Sequence, residues 1–580
     1  MLFLPPDSGL WRYLVKKLVF SRARQWATLP VFDDGTRLEI QRLLDNADGN
    51  ELTDRFYRQL EFGTGGLRGV LGAGTNRMNV YTVRIATAGL ARYLLSIYKD
   101  METAVCIAYD SRHNSAVFAR ETARVLSAHG IKSYLFDSLR PVPELSFCVR
   151  YMRAAAGVCI TASHNPPEYN GYKVYFGDGG QIIHPHDVNI INEVNKVSDI
   201  SIIPVVQFDD ALESGLIEYI GHEIDEAYLN EILRQSIHPI NESLTIVYTP
   251  LHGSGYRLIP EILKRKGFVD ADIRIVAEQA DPDGNFPTVK VPNPEDRETF
   301  TIALKYAART DADIVLATDP DCDRIGVAVK DHSAGYVLLN GNQVGALLAD
   351  YILAGLMEAG LLQRHRASVA KTIVTTGLIK DICDDYSVQC VELLTGFKYI
   401  GQWIKLNPDR DFVFGAEESY GYLRGTYARD KDAVLAASLI CEMASYYKSR
   451  GSSLYERLQH IYEKYGYYCE FLVSITMKGE EGHKGIASIM ESLRAEPKRL
   501  PGGLEFQEVI DYKDGVAGLP RSNVLSFIFQ DGSKVVVRPS GTEPKIKYYF
   551  MVKGISELSA QKRNKELQAA FIAAPPHCSP

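Results

Sequence analysis

A series of α/β units with mixed, largely parallel sheets, closed by a smaller α+β unit, is the fold class this sequence predicts, and three observations carry the prediction. Apolar, β-branched runs that end in a turn and pass into a helical pattern recur at AVCIAYDSRHNS from Ala104, LTIVYTPLHGSG from Leu244 and KTIVTTGLIKDI from Lys371. Each is followed by a second strand whose end is crowded with polar residues, in AAGVCITASHN, DADIVLATDPDCDR and DFVFGAEESYG. Strands that alternate with helices imply βαβ units and parallel pairing. Beyond residue 452 the pattern changes. SLYERLQHIYEKYGYY reads as a helix entering a strand, and SNVLSFIFQDGSKVVVRPSGTEPKIKYYF as three antiparallel strands joined by an Asp-Gly turn and a longer loop.

At 580 residues the chain is too long for one core. Cuts near residues 215, 337 and 452 give four expected domains: 1–215, 216–337 and 338–452 as α/β units, and 453–580 as the α+β unit. With 46% hydrophobic and 23% charged residues the composition is that of a globular protein, which excludes a disordered or fibrous chain. A formal charge of −8 argues against a nucleic-acid or anionic-membrane partner, so an anionic ligand needs a local basic pocket. The nine cysteines form no CxxC pair and several lie in apolar runs, which predicts reduced core thiols and a cytoplasmic protein. Pro5, Pro6 and Asp7 interrupt the apolar N-terminus, and no run of about 18 apolar residues follows, so neither a signal peptide nor a membrane span is expected.

Open α/β sheets bind ligands beyond the carboxyl ends of their strands, where loops and helix N-termini face a common crevice. The loops at those ends therefore carry the candidate chemistry. In DPDCDR, Asp319, Asp321 and Asp323 alternate directly after the apolar run Ile314 to Ala317. Three carboxylates on one turn suit a single hard cation, Mg²⁺, and the competing reading is a solvated acidic turn. An EF-hand is excluded because Arg324 stands where it needs Gly and Lys330 where it needs Glu. Arg324 suits a phosphate oxygen beside the metal, or a salt bridge to a neighbouring Asp.

Ser163, in TASHNP, is either a turn or helix-capping serine or a carrier of phosphoryl groups; no Gly-x-Ser-x-Gly elbow surrounds it. In GAEESYGYL, Glu417 and Ser419 lie two residues apart and are expected to project the same way from an extended backbone, which suits vicinal hydroxyls as well as plain surface polarity. In VVVRPSGTEPK, Arg538, Ser540, Thr542 and Lys545 surround Gly541, and this is either a phosphate cradle or a hairpin loop.

TASHNP, DPDCDR, TGFK, GAEESYG and RPSGTEPK, in this order and spread from about Glu61 to Phe550, resemble the α-D-phosphohexomutase superfamily of phosphoglucomutases and phosphomannomutases. GTGGLRG, TPLHG, NGYKVY and GTEPKIKYY are similar to the branch that holds long bacterial phosphoglucomutases and the phosphopentomutase or glucose-1,6-bisphosphate synthase relatives of animals. The resemblance implies four domains arranged as a heart around a central cleft. It implies that Ser163 is a phosphoserine, and that Mg²⁺ is held by its phosphoryl oxygen and by Asp319, Asp321 and Asp323. It implies conversion of glucose 1-phosphate to glucose 6-phosphate through glucose 1,6-bisphosphate, which serves as intermediate and activator.

By the same resemblance His164, Lys173 of NGYK and Arg68 of GTGGLRG stand beside the phosphoserine as catalytic groups. Arg324, Thr395, Gly396, Glu417, Ser419, Lys431 of RDKDA, Arg538, Ser540, Gly541, Thr542 and Lys545 bind substrate. As bare residues Lys173 reads equally as a strand-edge charge, Lys431 as a surface lysine at a helix start and Arg68 as a fork on nearby carbonyls. Pentose-type relatives replace the serine at position 419, so its presence favours a hexose phosphate over the phosphopentomutase alternative, while a phosphomannomutase using the same mechanism stays open. Cys322 departs from the small residue usual in the metal loop, and a thiol there predicts sensitivity to oxidation. The expected partner is a small sugar phosphate alone, with the chain a monomer or weak dimer. A serine-dependent phosphatase and a non-catalytic sugar-phosphate sensor are the remaining alternatives.

Overall fold

A computed structural model of the chain describes residues 9–572 apart from 47, 64, 100, 101, 198, 332–334, 478, 496–503, 505, 517 and 541–544. Four sheets account for its strands. The first runs, in spatial order, Gly66–Val70, Tyr169–Phe176, Ala156–Ile160, Ala104–Tyr109, Lys132–Phe136 and Ile217–Ile220. The last four strands are parallel neighbours, and Tyr169–Phe176 is antiparallel to both of its own. Every residue of Ala156–Ile160 is buried, which explains its unbroken apolar sequence: helices cover both faces of a parallel strand.

The second sheet repeats the plan with Gly335–Leu339, Ile325–Asp331, Ile314–Thr318, Ile246–Thr249 and Ile273–Ile275, and the third with Gln389–Leu393, Ala367–Thr372, Asp411–Glu417 and Gly421–Leu423. In all three sheets a parallel strand turns into an antiparallel neighbour, through residues 161–168, 319–324 and 418–420 respectively. The three polar loops of the sequence are therefore the same connection built three times.

The fourth sheet is antiparallel throughout, in the order Tyr467–Thr476, Lys545–Gly554, Lys534–Pro539, Leu525–Phe529 and Phe506–Asp511. Strand alternation gives it two different faces. Val535, Val537 and Phe550 pack under the helices Gly479–Ala495 and Glu557–Ile572, whereas Val536 and Tyr549 pack against Ile373, Val374 and Leu394 of the third domain. Near the N-terminus, the helices Gly9–Thr28, Asp34–Asp45 and Gly49–Phe56 gather Trp26, Phe32 and Phe56 around Tyr81 of the first domain.

The expected cuts at 215, 337 and 452 each move toward the C-terminus. Ile217–Ile220 pairs with Ser133–Phe136 and so belongs to the first sheet. The cut at 337 falls inside Gly335–Leu339; the second domain ends at Asn340, whose side chain caps the helix Gly341–Glu358. The helix Leu454–Tyr465 buries Leu454, Leu458, Ile461 and Tyr462 in the core shared with the third domain. Its Ser453 cap resembles a boundary in sequence, and only packing assigns the helix. No helix among the described residues is long and apolar enough to cross a membrane.

Candidate active site

The loops 161–168, 319–324 and 418–420 meet residues of the fourth sheet around a cleft of about 900 Å³. Each loop holds one non-glycine residue in the left-handed region: Ser163 at φ 51°, Cys322 at φ 53° and Tyr420 at φ 66°. Such residues cost about 1–2 kcal/mol apiece and persist where the surroundings fix them. At Ser163 the surroundings are explicit. Its amide donates to Thr161 Oγ1 at 2.8 Å, and its hydroxyl donates to Asp319 Oδ2 of the second domain, also at 2.8 Å. Thr161 Oγ1 in turn donates to Asp321 Oδ2 at 3.2 Å. His164 Nδ1 lies 3.2 Å from Ser163 Oγ, and Arg68 donates to Asn165 Oδ1 at 3.0 Å. Ser163 and Asp319, 156 positions apart in sequence, thus share one site.

Asp319, Asp321 and Asp323 are buried, and one oxygen of each lies within 4.8 Å of the others. The turn is closed on itself by the amides of Asp323 and Arg324, which donate to Asp319 Oδ1 at 3.1 Å each. Two helix starts hold it from outside. The amide of Val142, first in Val142–Tyr151, donates to the Asp321 carbonyl at 2.9 Å, and that of Ala433, first in Ala433–Lys448, to the Cys322 carbonyl at 3.3 Å. These N–H groups lack partners within their own helices, so a neighbouring loop can take them at no cost. The helix N-termini also bring positive potential to an acidic turn.

Lys173 Nζ lies 2.7 Å from Asp321 Oδ2 and 3.6 Å from Asp323 Oδ2, and Lys431 Nζ lies 3.1 Å from Asp323 Oδ2. Burial alone would discharge the lysines, but the carboxylates outweigh it and hold both above their ordinary range. Burial, then repulsion from Asp321 and Asp323, pushes Asp319 well up, whereas Asp321 is held low because Lys173 outweighs its burial. The Oδ1 atoms of Asp321 and Asp323 are buried without a hydrogen bond. Oxygen donors of this kind, close together and partly unsatisfied, fit a hard divalent cation and do not fit a solvated acidic turn. Cys322 requires a correction. It is fully buried, and burial followed by the Asp319 charge pushes its thiol well up, so the structure builds an inert thiol and not an oxidation-sensitive one.

The opposite wall of the cleft is more open. Glu417 ends the strand Asp411–Glu417 and accepts from the Gly396 amide at 2.9 Å. Ser419 is not on extended backbone as expected, because residues 418–420 form the turn into Gly421–Leu423; both side chains nevertheless line the cleft. Glu418, which also lines the cleft, accepts from Thr372 at 3.1 Å and Thr375 at 3.3 Å. Burial raises Glu417 to about 7, with Lys431 opposing the shift. Thr395 Oγ1 is buried without a hydrogen bond.

Arg538 donates to the Tyr549 hydroxyl at 3.1 Å while its Nε is buried without a hydrogen bond. The Ser540 amide donates to the Lys545 carbonyl at 2.7 Å, closing the base of that loop. Gly541 and Thr542 lie outside the described residues. Arg324 pairs with Glu295, not primarily with an adjacent aspartate; Asp323 Oδ1 is 3.8 Å from its Nε. His164 sits between Arg324 and Arg68, and burial, then those two charges, keeps its imidazole neutral well below the usual range.

Sequence reasoning missed Lys547, Glu295 and Arg112. Lys547 lines the cleft with Lys545, and the alternation in Lys545-Ile546-Lys547, which sends both lysines to one face, was the available signal. Glu295 lies in a long loop without a pattern. Arg112 lay in full view at a strand end in YDSRHNS, but its partners are main-chain carbonyls, which leave no trace in sequence.

Comparison with known proteins matches residues 59–201, 226–335 and 340–465 to phosphoglucomutase/phosphomannomutase α/β/α domains I, II and III in turn. A phosphoglucomutase of Staphylococcus epidermidis is 37% identical over 523 residues, covering 88% of this chain and 94% of its own. One of Staphylococcus aureus is 37% identical over 529 residues, covering 89% and 93%. Among solved structures, the open form of the Paramecium phosphoglucomutase parafusin has the same fold, with a TM-score of 0.70 at 16% identity over 89% of this chain and 96% of that one.

Proposed function

The chain belongs to the phosphoglucomutase/phosphomannomutase family of α-D-phosphohexomutases, and from that premise we propose that it interconverts glucose 1-phosphate and glucose 6-phosphate through a phosphoserine at Ser163 and a glucose 1,6-bisphosphate intermediate. The single observation that carries this reading is the 2.8 Å contact between Ser163 Oγ and Asp319 within a buried aspartate triad, at the floor of a cleft edged with arginines and lysines.

In the first half-reaction the bond from phosphorus to Ser163 Oγ breaks as one to O6 of glucose 1-phosphate forms, and the O6 hydroxyl proton ends, in net balance, on Ser163 Oγ. The bisphosphate turns within the cleft, and its C1 phosphoryl group then returns to Ser163, which leaves glucose 6-phosphate. Mg²⁺ fits Asp319, Asp321, Asp323 and the Ser163 phosphoryl oxygen, where it would offset the charge of the transferring group. Lys173, held protonated by Asp321 and Asp323, serves as a proton donor and counter-charge beside Ser163. His164, kept neutral, faces Ser163 Oγ through Nδ1 at 3.2 Å, and Arg68 orients the loop through Asn165.

Glu417, Ser419, Thr395 and Gly396 hold the sugar hydroxyls. The phosphate not undergoing transfer is held by Arg538, Ser540, Gly541, Thr542 and Lys545, with Arg324 and Lys431 nearer the metal loop. Cations and hydroxyls of this kind suit a phosphate at either end of a bisphosphate. Ser419 in the Glu-x-Ser turn supports a hexose over a pentose substrate. The free thiols support a cytoplasmic protein.

A panel of glucose, mannose, glucosamine and ribose 1-phosphates, with Mg²⁺ and trace glucose 1,6-bisphosphate, tests the reading. Glucose 1-phosphate should be isomerised with the highest kcat/KM, and Ser163→Ala should lower that rate by at least ~10³-fold. Isomerisation that persists in Ser163→Ala removes the phosphoserine route. Release of inorganic phosphate at the rate of turnover would make the protein a phosphatase instead.

A further inference from the structure

Beneath the Ser163 loop lies a fully buried guanidinium that the reaction does not touch. Arg112 Nη2 donates to the carbonyl of Ser163 at 2.6 Å and to that of Asn165, and Nη1 donates to the carbonyls of Pro166 at 2.8 Å and Tyr169 at 3.0 Å. Three of those carbonyls belong to the loop between Ala156–Ile160 and Tyr169–Phe176, and the fourth to the first residue of the second of these strands, which pairs with Val70. Asp110 holds the arginine from behind: its Oδ1 accepts the Arg112 amide at 3.0 Å and its Oδ2 lies 3.4 Å from Nε. Ser115 Oγ donates to the same Asp110 Oδ1 at 2.7 Å.

The remaining face of the guanidinium is covered from another domain. Phe286, in the irregular stretch between Ala277–Ala280 and Arg297–Phe300, places its ring centroid 5.0 Å from Arg112 Cζ, and Asn285 beside it lies 2.9 Å from His113 Nε2. Further along, the same stretch supplies Glu295 to Arg324.

We propose that Arg112 is a positioning residue for phosphoryl transfer: its planar fork sets the left-handed turn at Ser163, and Phe286 keeps the fork in place only while the first and second domains are docked. The inference rests on the reading of Ser163 as the phosphoryl carrier. A planar group with donors in fixed directions can serve four carbonyls at once. An ammonium has three donors in a tetrahedral arrangement and cannot, so Arg112→Lys keeps the charge opposite Asp110 while releasing the loop. Because the groups assigned to the sugar and its distal phosphate, Arg324 apart, lie on the third and fourth domains, the loss should fall on the rate of transfer and spare substrate affinity.

Two measurements on the full chain test this. In hydrogen–deuterium exchange, Arg112→Lys should speed exchange within 161–169 and leave the rest of the first sheet at native rates. In steady-state assays it should lower kcat by roughly 10²-fold, the scale expected of a small misplacement of reacting atoms, with KM for glucose 1-phosphate within about threefold of native. Phe286→Leu should give the same pattern at smaller amplitude. Exchange in 161–169 that stays at the native rate overturns the proposal, as does a native kcat in Arg112→Lys. Faster exchange throughout the first domain also overturns it, because Arg112 would then hold the domain and not the loop. Absence of mutase activity in the native protein would remove the functional premise, and the exchange result would still decide whether Arg112 shapes the loop.

Discussion

The two walls of the cleft are built on different terms. On the wall of the first and second domains, Ser163, Asp319, Asp321, Asp323 and Lys173 are buried or nearly so and bonded to one another across the domain boundary. On the wall of the third and fourth domains the atoms without a hydrogen bond are a hydroxyl and a cationic donor, Thr395 Oγ1 and Arg538 Nε, where the aspartate turn leaves the carboxylate oxygens Asp321 Oδ1 and Asp323 Oδ1 unpaired. Buried polar groups that are left unsatisfied are costly, so a wall that keeps them does so where a ligand will supply the missing partners. The difference teaches that the site is rigid where bonds are exchanged and receptive where a sugar phosphate must fit in two orientations.

The comparison breaks most visibly at the metal loop. Asp321→Asn should lower kcat by ~10²–10³-fold, as loss of a preorganised charge does, while KM stays within a few fold. A chelator should abolish turnover, and added Mg²⁺ should restore it. A parallel rise in KM would show that this wall also binds the sugar and that the two walls are not distinct. A smaller effect is expected across the cleft. Arg538→Ala should lower kcat/KM by roughly 10–100-fold, the worth of a charge-assisted hydrogen bond, and mainly through KM. A pure kcat effect there would reverse the assignment.

The smallest expected effect sharpens the comparison through pH. Burial places Glu417 at about 7, so its carboxyl is protonated below that pH and ionised above it. If the ionised form accepts from sugar hydroxyls, kcat/KM rises several-fold between about pH 6 and 8, and Glu417→Gln removes that rise. The sign for stability is opposite. A raised acid binds more protons folded than unfolded between its ordinary value of 4.5 and about 7, so its contribution to stability falls as pH rises through that window. A native pH profile retained in Glu417→Gln would assign the titration elsewhere.

Much of this site was legible because it depends on residue type and order. The alternating aspartates, the serine after a buried strand and the glycine-centred basic loop each announce a chemistry, and the threefold strand–turn–helix pattern announces the scaffold. What was not legible depends on long-range geometry. The strand Ile217–Ile220 is short and half exposed, so nothing in its sequence separates it from a linker. Ser419 carries the right side chain, but its turn follows from the pairing of Asp411–Glu417 with Gly421–Leu423. Arg324 sits among aspartates, yet its main partner is Glu295, supplied by a loop 29 positions away. Cys322 looks exposed to chemistry in a motif and proves to be sealed in the core.

The metal loop's tethers to Val142 and Ala433 run through peptide groups. Nineteen of the twenty amino acids can supply such a tether, so what confines Val142 and Ala433 to apolar side chains is the core in which both are buried and not the aspartates they hold. Proline, which helix starts otherwise welcome, is the one residue both positions exclude. A fragment limited to the second domain would keep all three aspartates and lose what aligns them, which makes the ion site a property of the assembled chain and not of the motif that names it.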